Sequence, residues 1–69
     1  MRARTYSTLE VLDLIEQWTG VSVSDTQLRY HCFRLGKMAI YPRKTSGNLR
    51  WTRSNINDAI RALGLKRKR

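Results

Sequence analysis

Two capping boxes fix where helices must start in this chain. Ser7-Thr8-Leu9-Glu10 and Ser24-Asp25-Thr26-Gln27 each place a hydroxyl three residues ahead of a carboxyl or carboxamide, so the side chains at the two ends of one turn satisfy each other's free amides. An apolar stripe of helical period follows the first box. Val11, Leu14, Ile15 and Trp18 fall at i, i+3, i+4 and i+7, Asp13, Glu16 and Gln17 face away, and Gly20 is a natural terminator; the spacing predicts a helix over about residues 8 to 18. After the second box, helical spacing runs on to Gly36. With Leu28 at the centre of the buried face, Cys32, Leu35 and His31 lie within about 60° of it at 100° per residue. Thr26, Gln27, Arg29, Tyr30, Phe33 and Arg34 fill the remaining arc, which is polar, aromatic and basic and holds no acid. The link Thr19-Gly20-Val21-Ser22-Val23 is short and contains a glycine, the form a helix-turn-helix requires.

Past Gly36 the period changes. Met38-Ala39-Ile40-Tyr41 has strand-like content, Pro42 suits an edge, Thr45-Ser46-Gly47-Asn48 is a turn cluster, and Leu49-Arg50-Trp51-Thr52 returns as a second strand. This predicts a β-hairpin whose arm carries Arg43, Lys44 and Arg50. Thr52 then caps a third helix with the stripe Ile56, Ala59, Ile60 and Leu63, ended by Gly64. The fold class read from this order is mainly α with a small β-hairpin wing, a winged helix-turn-helix of the form helix-helix-hairpin-helix. At 69 residues there is room for one domain only, so residues 1–69 form a single unit with a flexible basic tail expected at 65–69.

Charge narrows the function. Fourteen Lys and Arg against five Asp and Glu give a formal +9, and residues 26 to 57 hold Arg29, Arg34, Lys37, Arg43, Lys44, Arg50 and Arg53 with no acid among them. Glu10, Asp13 and Glu16 are confined to the first helix. One side of the molecule is therefore positive, and the partner it fits is a polyanion. The polar face of the first helix has the wrong sign for an anionic membrane surface. No signal-type apolar block follows Arg2 and Arg4, so a cytoplasmic chain is expected.

No catalytic or metal-binding set can be assembled. Cys32 and His31 are the sole residues of their types and point about 100° apart as neighbours on a turn, so Cys32 is read as core and no metal or cofactor is expected. Ser7, Ser22, Ser24, Ser46 and Ser54 all sit at turns or caps, which argues against an enzyme. Trp18 and Trp51 are read as core residues rather than base-stacking platforms.

The residues also carry a family likeness. Val23-Ser24-Asp25-Thr26-Gln27-Leu28-Arg29-Tyr30 resembles the V-S-x-x-T-L-R-Y signature that opens the recognition helix of MerR-type regulators. Pro42-Arg43, Gly47 and the run Arg50 to Ile56 are similar to that family's wing and following cap. The likeness spans roughly residues 6 to 63. Gln27 stands where Thr is usual, His31 where a second aromatic is usual, Leu49 where Tyr is usual, and the segment before Gly36 is one residue longer. The family's long dimerising helix and effector domain are missing, so the chain looks more like the stand-alone relatives, the excisionases and small MerR-like regulators of phages and mobile elements.

The resemblance implies sequence-specific binding of double-stranded DNA without a small-molecule effector. Thr26, Gln27 and Tyr30 would read bases in the major groove, with Arg29 and Arg34 on phosphates. In the wing, Arg43, Lys44, Gly47, Asn48 and Arg50 would meet the backbone or adjacent minor groove, and Lys66, Arg67, Lys68 and Arg69 would add non-specific affinity. The implied partners are duplex DNA, further copies on adjacent DNA sites, and an integrase or RNA polymerase. A recombination directionality factor, a transcriptional regulator without effector domain, a small RNA-binding protein and a protein-interaction module all remain open from the residues alone.

Overall fold

The computed structural model describes residues 4–67. Helix α1, Thr8–Thr19, starts where the first box requires: Ser7 Oγ accepts from the Glu10 amide at 3.3 Å and Glu10 Oε1 accepts from the Ser7 amide at 2.9 Å. Gly20 ends it in the left-handed region at φ 77°, its N–H bonded to the Glu16 carbonyl at 2.7 Å. Helix α2, Asp25–Arg29, opens on the reciprocal Ser24 and Gln27 bonds. It then continues as a π turn, Tyr30–Arg34, in which the Leu35 N–H reaches the Tyr30 carbonyl at 2.9 Å.

This change of winding corrects the buried face expected of the second helix. A π turn advances less than 100° per residue, so positions after Tyr30 drift away from the α-helical forecast. Leu28 and Cys32 are fully buried as expected, but Leu35 is 43% exposed, while Phe33, assigned to the outer arc, packs against the core. Its ring lies 6.0 Å from that of Trp51 and 5.7 Å from that of Tyr41.

The hairpin is shifted along the chain from its forecast position. Strands β1, Arg43–Thr45, and β2, Asn48–Arg50, pair antiparallel with Arg43 opposite Arg50, Lys44 opposite Leu49 and Thr45 opposite Asn48. The loop between them is Ser46-Gly47, both at positive φ (50° and 80°), the combination of a type I′ turn. Met38 to Tyr41 do not form a strand. The register set by that turn would pair Tyr41 with Thr52 and Ile40 with Arg53, and those residues are committed to the cap and first turn of helix α3, Arg53–Ala62.

Trp51 joins these parts. Its N–H and C=O exchange bonds with Tyr6 at 2.8 and 2.7 Å, so the N-terminal segment lies along the second edge of β2. Its side chain is fully buried, with the indole N–H donating to Thr8 Oγ1 at 3.2 Å. Around it lie Val11 and Ile15 of α1, Leu28 and Cys32, and Ile56, Ala59 and Ile60 of α3, forming one core. Asn55, nearly all buried, fixes the 36–42 loop to α3: Oδ1 accepts the Thr52 amide at 2.9 Å and Nδ2 donates to the Ile40 carbonyl at 3.0 Å.

Candidate nucleic-acid interface

The π turn and the hairpin enclose a groove of about 770 Å³. Arg29 and Phe33 line one wall, Lys44, Asn48 and Leu49 the other, and Ser7, Thr8 and Leu9 of the first turn of α1 close one end. Of the residues expected to bind, Arg29, Lys44, Gly47, Asn48 and Arg50 meet here; Thr26, Gln27, Tyr30, Arg34, Arg43, Lys66 and Arg67 do not line it. All of the latter are nevertheless exposed. Lys68 and Arg69 lie outside the described residues.

Several expected contacts are already engaged within the protein. Gln27 Oε1 accepts the Ser24 amide at 3.1 Å, so reading adenine through both ends of the carboxamide requires opening the cap. Arg29 Nε lies 3.0 Å from Asp25 Oδ1, an exposed i,i+4 pair. Exposed pairs of this kind contribute about 0–1 kcal/mol, so a phosphate can displace the carboxylate at small cost. Arg50 is half-buried, and its guanidinium donates to Thr5 Oγ1 at 3.1 and 3.0 Å and to the Thr5 carbonyl at 3.3 Å. Its first task is to tie the N-terminal segment to the hairpin.

The tail is attached further than expected. Leu65 packs on the core with its N–H on the Ile60 carbonyl, and the Arg67 guanidinium sits 4.4 Å from the Trp18 ring centre. Arg53 approaches the same indole at 5.8 Å.

Two acids touch residues of the groove from its edge, Asp25 through Arg29 and Glu10 through the Ser7 amide. No acid lines the groove itself; Asp13 and Glu16 border a separate hollow with Gln17 and Gly20. Glu10 accepts the Ser7 amide, which holds its carboxyl below the usual carboxylate range, with Arg4 3.8 Å away. The groove thus sets the cations Arg29, Lys44 and Arg50 and the hydroxyls of Ser7 and Thr8 among the apolar Leu9, Phe33, Pro42 and Leu49, and the cations suit phosphate oxygens.

Sequence reasoning missed the first turn of α1. The capping box located its start but not the direction in which that start points, and Leu9, 77% exposed beside the groove, lies off the apolar stripe and gave no other signal.

Cys32 is sealed in the core, where burial pushes its thiol from an ordinary 9.0 up to about 11. The folded state favours the protonated thiol, so this contribution to stability is whole below 9.0 and is lost as pH rises toward about 11. Alkylation by iodoacetamide at about pH 8 should accordingly be slow in the native protein and fast in denaturant. Native labelling at the rate of a free thiol would contradict the burial. Among the described residues no group of three His, Cys, Asp or Glu side chains is placed to hold a metal ion, and no helix is long and apolar enough to cross a membrane.

Compared with known families, curated proteins and solved structures, the chain has no match in any of the three.

Proposed function

We propose that this chain is a sequence-specific double-stranded DNA-binding protein of the winged helix-turn-helix type, acting as an excisionase-like architectural factor or a small MerR-like regulator. The observation that carries the reading is the shared groove: Arg29 on the second helical segment and Lys44 on the hairpin line the same groove, with no acid among its lining residues, in a chain of net charge +9. α2 enters the major groove by its first turns, presenting Thr26 and Gln27 to base edges, while Arg29, Arg34 and Lys44 neutralise flanking phosphates. The π turn also supports the MerR-like reading. A turn closed by i→i+5 bonds holds one more residue than an α turn, and the segment before Gly36 is longer than that family's pattern by one.

Duplex binding followed by fluorescence anisotropy across a salt series tests this. The affinity should fall steeply with salt, and Lys44→Ala should weaken every sequence alike and flatten the logarithmic slope by about 0.9. Gln27→Glu retains an acceptor for the Ser24 amide but removes the amide donor, so it should change preference at one or two base pairs. Duplex binding that ignores salt, or identical losses on all sequences for both variants, would refute the assignment.

A further inference from the structure

The hairpin is cationic on both faces, and the groove with α2 uses only one of them. Strand alternation turns Lys44 and Leu49 toward that groove and Arg43 and Thr45 to the reverse face, while their partners Arg50 and Asn48, at the two ends of the ladder, border both. The reverse face borders a second hollow of about 640 Å³, completed by Ile40, Tyr41 and the start of α3 at Ser54. Arg43 and Arg50 stand directly opposite each other there. Like charges across a ladder are destabilising, and while Arg50 turns its guanidinium to Thr5, Arg43 is exposed, faces no acid in this hollow and joins no ion pair among the described residues. Thr45, Ser54 and Asn48 add neutral donors. Among the described residues, Arg43 is thus the cation here without a counter-charge, which an anion with several oxygens can supply while bonding to the neutral donors beside it.

We propose that this reverse face binds the phosphodiester backbone of a second DNA segment, so that one copy of the chain bridges two duplexes. The proposal rests on the DNA-binding reading above. A single duplex does not satisfy both faces, because with α2 in the major groove the hairpin meets a minor groove about 6 Å wide, whereas a two-stranded ribbon with its side chains is on the order of 10 Å thick. Arg50, at the end of the ladder, borders both hollows, and Arg43 borders the second alone.

The test uses the full chain, a bead-tethered duplex and a fluorescent duplex free in solution. The wild type should retain the free duplex on the beads once the tethered one is saturated. Arg43→Glu should reduce that retention at least about tenfold more than it reduces single-duplex affinity measured by anisotropy. Lys44→Glu should weaken single-duplex binding itself. Arg43→Gln, which removes the charge without reversing it, should give an intermediate loss of retention and guards against a folding defect. Three results would overturn the bridge: no retention by a wild type that binds one duplex, retention unchanged in Arg43→Glu, or equal losses of single-duplex affinity in Arg43→Glu and Lys44→Glu. A wild type that binds no duplex at all would instead refute the function proposed above.

Discussion

Trp51→Ala is expected to abolish the cooperative thermal transition, or to lower its midpoint by at least about 15 °C. The side chain is fully buried against all three helical segments, and its removal deletes the bond to Thr8 as well as the contact with Phe33. Truncations of this kind cost about 3–5 kcal/mol, and a domain of this length has roughly 3–10 kcal/mol in total. Trp51→Phe keeps most of the apolar contact and loses the indole N–H bond, so it should cost about 1–2 kcal/mol. Melts followed by far-UV circular dichroism separate the two variants. A midpoint for Trp51→Ala within a few degrees of wild type would mean that the core does not depend on this residue.

The second large effect is expected at Asn55, where one carboxamide serves two purposes. Asn55→Ala removes the acceptor for the Thr52 amide and strands the Ile40 carbonyl, for a cost of about 2–3 kcal/mol in chemical denaturation. Asn55→Asp should be comparably costly, because it keeps the acceptor but turns a carboxylate oxygen toward the Ile40 carbonyl. The loss should be accompanied by faster amide exchange in the 36–42 loop, which leads into β1. A cost below about 0.5 kcal/mol for both variants would show that loop and helix are held together by other contacts.

Sequence and structure agree where a decision is local. The boxes at Ser7 and Ser24, the cap at Thr52, and the stripes Val11-Ile15 and Ile56-Ala59-Ile60 depend on residues a few positions apart, and each stands as read. The misreadings arise from choices made over longer range. After Tyr30 the chain winds as a π turn that brings Phe33 against Trp51, eighteen residues away in sequence, and the expected burial of Leu35 failed. The strand expected at Met38 to Tyr41 lost its partner because Thr52 and Arg53 belong to α3. Arg50 read as a free cation because nothing near it in sequence announces Thr5, its actual partner. The candidate site was thus legible as a set of basic residues, but not in which of them share the groove.

The pairing of Tyr6 with Trp51 also has a consequence for how the protein is made. During synthesis Tyr6 has no pairing partner until Trp51 has emerged, and α3, which shares the core with Trp51, comes later still. Closing so large a loop carries an entropic cost that no local contact offsets, so α1 waits as a fluctuating amphipathic helix and the domain folds as a unit after its last helix is released.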